Sequence, residues 1–231
     1  AWPHLSVLAT DNQTAGKGRL GRIWTAPPGG SLAASVLVRP GRGRVFNPEG
    51  YGWLPLIAGA AMSQALADLV PSSAHVELKW PNDVQINGLK VCGILTELLP
   101  DGSVIIGSGV NMALTAEQLP TATSTSLALA GAFVTADEVL CAYLGELEPL
   151  LVELAMAGGV AAGTSIPEFV SRRCNTIGQS VRVELPSGES PIGVATGLDT
   201  RGCLLVETST GESLAVAAGD VTHLRVIIKG E

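Results

Sequence analysis

Apolar residues along this chain follow two different spacings, and the change from one to the other divides it. Residues 6–10 and 31–39 are short runs of small and branched apolar residues that read as strands, the second ending at Pro40. Residues 41–50 form a turn-rich connector. From 54 to 69, small and apolar residues recur every three and four positions, which predicts a helix. A short strand at 76–79 runs into the turn Trp80-Pro81-Asn82-Asp83. Residues 84–86, the dipeptide Asn87-Gly88 and residues 90–98 make a hairpin. Asp101-Gly102 then turns the chain into a strand at 104–110. A long helix is expected over 135–157, with Thr135 as N-cap and Asp137 and Glu138 in its first turn, and a shorter one over 165–174. Beyond about residue 175 the helical spacing disappears. Strand-like runs at 181–185, 192–198, 204–207, 213–216 and 221–226 alternate with turns at Pro186-Ser187-Gly188, 199–202 and Thr210-Gly211, which predicts a small barrel. The expected organisation is a mixed α/β (α+β) domain over 1–174 followed by a small β domain over 175–231.

Composition agrees with a folded chain of this size. Of 231 residues, 46% are apolar and 15% charged, so a sizeable core is expected and disorder is not. A net charge of −7 argues against general binding to nucleic acid or a membrane surface. No apolar run reaches the ~18 residues of a membrane span, and the opening A-W-P-H-L lacks the basic and long apolar parts of a signal peptide. Cys92, Cys141, Cys174 and Cys203 are widely spaced with no C-x-x-C, which suits free thiols in a reducing compartment. These features predict a cytoplasmic protein.

Charge is unevenly distributed, and that directs attention to one stretch. Residues 1–48 carry six Lys/Arg and one acid, whereas 49–231 carry eight basic and twenty acidic residues. The basic segment centres on Q-T-A-G-K-G-R-L-G-R-I-W, from Gln13 to Trp24, where Gly16, Gly18 and Gly21 alternate with Lys17, Arg19 and Arg22. Glycines let successive backbone N–H groups surround an anion, Arg supplies a planar fork, and Trp offers a face for an aromatic base. The plain alternative is a solvated basic loop. The same letters spell G-x-G-x-x-G, but Pro27-Pro28-Gly29-Gly30 cannot open the required helix, and Arg39-Pro40 stand near the offset of the ribose-binding acid. Kinase, serine-hydrolase and zinc-hydrolase motifs are missing from the sequence, and His4, His75 and His223 are isolated.

Three further positions stand out. Asp83 either closes its turn or acts as a functional carboxylate. Lys90 is either a strand-edge charge or a ligand contact, beside Gly93, which interrupts an otherwise strong strand. Gly107-Ser108-Gly109-Val110-Asn111 repeats the pattern of glycines inside an apolar strand and ends in an amide.

The order of these segments, with K-W-P-N-D-V, K-V-C-G-I-L-T-E-L and G-S-G-V-N-M following the glycine loop and a small β domain closing the chain, resembles the biotin protein ligase family. The resemblance implies a mixed-sheet catalytic domain of the biotin/lipoate ligase type with an SH3-like C-terminal barrel. It implies that biotin and Mg-ATP are substrates, giving biotinyl-5′-AMP, and that the acyl group passes to a lysine of a biotin carboxyl carrier domain. No tightly bound prosthetic group is expected, no DNA-binding domain is seen in this sequence, and a homodimer is compatible with the family. Carried over by position, Gln13, Gly16, Lys17, Gly18 and Arg19 look like biotin-loop residues, with Gly93 and Gly107 beside the same ligand. Arg22, Trp24 and Asn111 look like nucleotide contacts, and Lys90 resembles the lysine that bridges carboxylate and acyl phosphate. Asp83 would serve magnesium or the incoming acceptor lysine, so Lys90, Arg19 and Asp83 form the expected catalytic set. Lys17 stands where the family commonly has Arg, and the Ser-Thr-Asn segment for the ureido ring is expected some twenty residues before Gln13, ahead of residue 1. Lipoate ligation or lipoyl transfer is the nearest rival activity, and a non-catalytic biotin-binding regulator the rival of another class. The K-G-R-L-G-R cluster with the barrel favours biotin, and the intact Lys90, Arg19 and Asp83 favour turnover.

Overall fold

In a computed structural model, residues 2–41, 45–185 and 188–217 are described, with the backbone alone for 220–223. Six strands form one antiparallel sheet: β1 (Val7–Thr10), β4 (Ser31–Val38), β5 (Val76–Lys79), β6 (Asp83–Ile86), β7 (Leu89–Leu98) and β8 (Val104–Asn111), in the order β1-β4-β8-β7-β6-β5. The two-stranded ladder of β2 (Gly16–Lys17) and β3 (Ile23–Trp24) stands apart from it. One face of the sheet is covered by helices. Helix α1 (Leu54–Ala67) is apolar or small nearly all round and buried on most of its circumference, as expected of a helix enclosed on every side. It lies against β5, β6 and β7 on one side and helices α2 (Ala136–Met156) and α3 (Ile166–Arg173) on the other.

Helix α2 begins where its sequence says it should. Thr135 and Glu138 form a reciprocal capping box, with the Glu138 N–H donating to Thr135 Oγ1 at 3.2 Å and the Thr135 N–H to Glu138 Oε2 at 2.7 Å. Val139, Tyr143, Leu147, Leu150 and Leu154 then recur at three and four and fill the layer against α1.

The second sheet holds β9 (Ser180–Glu184), β10 (Ile192–Leu198), β11 (Leu204–Thr208), β12 (Ser213–Val216) and β13 (Asp220–His223), in the order β12-β11-β10-β9-β13. Its buried Val181, Val183, Ala195, Leu204, Val206 and Val216 alternate with exposed positions, as in a half-buried antiparallel sheet. Positions 224–226 of the last expected strand, and Pro186 and Ser187 of an expected turn, lie outside the described residues. So do 42–44 of the connector, whose distal part forms a 3-10 segment at Pro48–Trp53 that the sequence pattern did not announce.

Two indoles, Trp53 at the end of the 3-10 segment and Trp80 in the turn after β5, tie this sheet to the preceding part of the chain. Trp53 Nε1 donates to Thr200 O at 2.8 Å, and Trp80 Nε1 to Gly202 O at 3.3 Å, both in the turn between β10 and β11. The Trp80 N–H donates to Thr176 Oγ1 at 3.0 Å, and Asn175 Nδ2 reaches Glu77 and Gln85 at 3.2 and 3.1 Å. The chain leaving α3 is therefore bonded to the same short hairpin that carries the Trp80–Asp83 turn.

Candidate functional site

The sheet face away from the helices holds a cavity of about 590 Å³. Strand alternation makes its floor: Cys92, Ile94, Ile106 and Val110 point into the helical core, so Gly93, Leu95, Ile105, Gly107 and Asn111 face the opening. Gly93 stands opposite Gly109 across β7 and β8, and Leu95 opposite Gly107. Ala33 and Ser35 on β4 continue this small-residue trough.

All the positions singled out from the sequence line this cavity except Gly16 and Gly21. Gly16 is buried in the β2–β3 ladder, where a Cβ would lie 2.3 Å from Trp24 O and 2.7 Å from Gln13 Oε1. Close packing of the hairpin demands glycine there, behind the cavity wall. The strand glycines also divide by role. A Cβ on Gly109 would lie 2.6 Å from Trp24 Cε2, and one on Gly93 3.2 Å from Lys90 Nζ and 3.3 Å from Trp24 Cζ3. Their space is taken by the protein's own indole and ammonium. At Gly107 a Cβ would meet nothing closer than Leu95 O at 3.4 Å, so that part of the trough is open. The Trp24 indole N–H is buried with no hydrogen-bond partner.

Charged groups meet at one end. Lys90 Nζ pairs with Asp83 Oδ1 at 2.7 Å and lies 5.7 Å from the centre of the Trp24 ring. The Lys90 backbone is fixed on both sides: its N–H donates to Thr123 O at 2.8 Å, and its carbonyl accepts from the Thr125 N–H at 2.8 Å. Asn111 is almost wholly buried, with Nδ2 donating to Thr125 O at 2.9 Å. The segment after β8 thus braces both residues. Arg19 Nη1 donates to Asn82 Oδ1 at 2.9 Å. Half-burial draws the Arg19 pKa down by desolvation, Asp83 opposes this, and Arg22 adds to it. Lys79, opposite Asp83 across β5 and β6, is lowered chiefly by desolvation, against the pull of Asp83 and with the push of Lys90. Beneath the floor, burial pushes the Cys92 thiol up to about 12, against the influence of Lys90.

Sequence reasoning missed Asn82, which accepts from Arg19; Lys79, whose charge is felt alongside that of Lys90; and Thr121, Thr123 and Ser124, which line the cavity. Asn82 lay inside K-W-P-N-D and was read only as a turn former. The T-A-T-S-T-S run at 121–126 carries neither helical nor strand periodicity, so nothing local marks it. Among the described residues no group of three or more His, Cys, Asp or Glu side chains is arranged to hold a metal ion. Among them too, no helix is long and apolar enough to cross a membrane.

A cavity lined by Arg19 and Lys90 on an antiparallel sheet, bordered by a glycine loop and followed in the chain by a small β unit, defines a class. Residues 1–111 match the biotin/lipoate A/B protein ligase family, and residues 176–224 match the biotin protein ligase C-terminal domain. The chain is 36% identical over 221 residues to biotin–[acetyl-CoA-carboxylase] ligase of Mycobacterium tuberculosis, covering 95% of this chain and 79% of that protein. It is 32% identical over 218 residues to the bifunctional ligase/repressor BirA of Bacillus subtilis, where it spans 90% of its own length and 63% of the relative's. The structure of the Aquifex aeolicus biotin protein ligase in complex with biotin and ATP superposes with a TM-score of 0.79 at 25% identity, covering 97% of this chain and 91% of that one. The chain belongs to the biotin protein ligase family. Its five-stranded second sheet is the SH3-like C-terminal domain of that family.

Proposed function

We propose that this chain joins the carboxylate of biotin to the α-phosphate of ATP, releases pyrophosphate, and passes the acyl group of biotinyl-5′-AMP to a lysine of a biotin carboxyl carrier domain. The observation that carries this reading is the convergence of Arg19 and Lys90 on one cavity from two separate elements, a loop and a strand. Both reactants of the first step are anions that repel one another. Cations fixed on two sides lower that repulsion and stabilise the charge that builds as the carboxylate oxygen attacks phosphorus. No protein nucleophile is required, because the substrate carboxylate is the nucleophile.

In this reading Lys90 bridges the carboxylate and the acyl phosphate, Arg19 reaches both from the loop, and Arg22 attends the phosphates. Gln13, Lys17 and Gly18 with Gly107 surround the biotin, Gly93 makes room for Trp24 and Lys90 instead of touching the ligand, and Gly16 holds the loop's shape from behind. Trp24 and Asn111 attend the nucleotide, and the unpaired Trp24 N–H supports that assignment. In the second step the neutral amine of the acceptor lysine attacks the acyl carbon, the C–O bond to phosphate breaks and AMP leaves. Asp83 is the carboxylate near enough to guide that incoming amine. Asp83 is engaged by Lys90 at 2.7 Å, and among the described residues no group of three or more His, Cys, Asp or Glu is arranged around it to hold a metal ion. A magnesium ion would arrive on the triphosphate of ATP. The division of labour follows the fold: residues 1–174 carry the chemistry and 175–231 contact the carrier or ATP. With ATP and a carboxylase carrier as reactants, the site of action is the cytoplasm.

Biotin-dependent exchange of label between pyrophosphate and ATP tests the first step, with lipoate as competitor. Exchange driven by biotin and unaffected by lipoate is expected. Exchange driven by lipoate, or none with either, would remove the proposal.

A further inference from the structure

The two cations of the cavity are supported by different chemistry. Lys90 is neutralised in place by a carboxylate, with Asp83 Oδ1 at 2.7 Å. Arg19 donates from Nη1 to the amide oxygen of Asn82 at 2.9 Å, with Asp83 close enough to act on its charge. The amide is itself immobilised. Asn82 Nδ2 donates to Ile94 O at 2.7 Å, and the Ile94 N–H donates back to Asn82 O at 2.8 Å, so the residue is clamped to β7 through both side chain and backbone. Once Nδ2 is committed, Oδ1 is the end left to face Arg19.

The turn bearing Asn82 is fixed from behind as well. Trp80 is 2% exposed, its N–H donates to Thr176 Oγ1 at 3.0 Å, and its indole donates to Gly202 O at 3.3 Å. Asp83, next in sequence, begins β6 in register with Gly93. Arg19 therefore rests on a point that cannot drift without breaking bonds to β7 and to the C-terminal sheet.

We infer that Asn82 is a positioning residue for Arg19, acting through that guanidinium and not on the substrates directly. An uncharged acceptor suits the task. A guanidinium has five N–H donors, and an amide engages it at Nη1 without adding a negative charge at that point, which leaves the other donors for a carboxylate or phosphate. A carboxylate at the same point would hold Arg19 more strongly and compete with the ligand for it. This inference rests on the proposed activation of biotin.

The test is a double-mutant cycle in biotin-dependent ATP–pyrophosphate exchange, using Asn82→Ala, Arg19→Ala and the double variant. Removing the acceptor of a charge-assisted hydrogen bond is expected to lower kcat/KM by about 10- to 100-fold. On the Arg19→Ala background the same change should cost less than about twofold, because the group it positions is already gone. Losses that multiply in the double variant would show that Asn82 serves the fold alone, and so would wild-type exchange in Asn82→Ala. Asn82→Asp keeps the size and the acceptor, and decides the matter should the alanine variant fail to fold. It is expected to raise KM for ATP and biotin about tenfold or more with a smaller change in kcat, and an unchanged KM would overturn the inference. Failure of the underlying activity is distinguishable, because the wild-type protein itself would then show no biotin-dependent exchange.

Discussion

The glycine loop at 13–24 and the strand pair β7–β8 each bring a cation to the same cavity, yet they are built in opposite ways. On β7, Val91 and Cys92 are fully buried, and the Lys90 backbone is hydrogen-bonded on both sides to the 123–125 segment. On the loop, Leu20 is 71% and Ile23 81% exposed, and Leu20 takes a left-handed φ of 56°. A two-residue ladder and a 2.7 Å bond from the Gly18 N–H to Arg22 O hold that hairpin together. A cation that must be in place before either anion arrives belongs on the rigid element. One that closes over a bound intermediate belongs on an element with few packed contacts, whose local opening is cheap. The difference teaches that equal charges in one site need not have equal duties.

The sharpest way to break this comparison is to remove the strand cation. Lys90→Ala should lower adenylate formation by roughly 10²–10³-fold, about 2.7–4 kcal/mol of transition-state stabilisation, while circular dichroism shows the fold retained. A variant keeping half of the wild-type exchange would make Lys90 a strand-edge charge after all. The loop cation should behave differently. Arg19→Gly should slow adenylate formation by about 10- to 100-fold, less than Lys90→Ala does, and should also let the adenylate that forms escape, so that activated biotin labels bystander lysines. In the wild-type protein, biotinyl-5′-AMP should slow proteolysis between residues 14 and 22. Equal cleavage with and without the adenylate would erase the distinction between the two elements.

Much of the scaffold was legible because its causes are local. The Thr135 cap, the three-and-four spacing of α2 and the Asn87-Gly88 hairpin each lie within one element, and each stands where the pattern put it. So do β10 and β12 of the second sheet. The floor of the site was legible for a related reason, since a glycine inside an apolar strand is a local anomaly. Its meaning was not. Gly93 and Gly109 make room for the protein's own indole, and only Gly107 leaves a void. Contacts between distant parts of the chain left no trace: Arg19 and Asn82 are 63 residues apart, and the segment bracing Lys90 and Asn111 has no periodicity to read. Lys79, by position a plain strand-end lysine, owes its desolvation to packing that no local pattern encodes.

The glycines offer a finer test. Gly109→Ala would drive a methyl against the indole at 2.6 Å, and a loop of few contacts should yield before the sheet does. The expected result is a cost of about 1–3 kcal/mol in docking Trp24, seen as faster loop proteolysis without ligand and little change in Tm. Gly107→Ala meets only Leu95 O at 3.4 Å, so it should be silent in the empty protein and raise KM for biotin severalfold. Reversal of the two outcomes would mean that the open part of the trough lies over Gly109.

The smallest effect concerns the thiol beneath the floor. Cys92 is fully buried while Cys141 is exposed, and burial carries the Cys92 thiol from 9.0 up to about 12. At pH 8 the thiolate, which is the reactive form, is therefore scarce at Cys92 and sheltered where it exists. Iodoacetamide should modify Cys141 in the native protein and spare Cys92, Cys174 and Cys203. A raised folded-state value also fixes the direction of the pH dependence. The stability that the Cys92 thiol contributes is fully present below about pH 9 and fades as pH climbs toward 12. Cys92→Ala should therefore flatten the decline in Tm across that window relative to wild type. Labelling of Cys92 at the rate of Cys141 would mean that β7 opens as readily as the glycine loop, and the rigidity on which the assignment of duties rests would be gone.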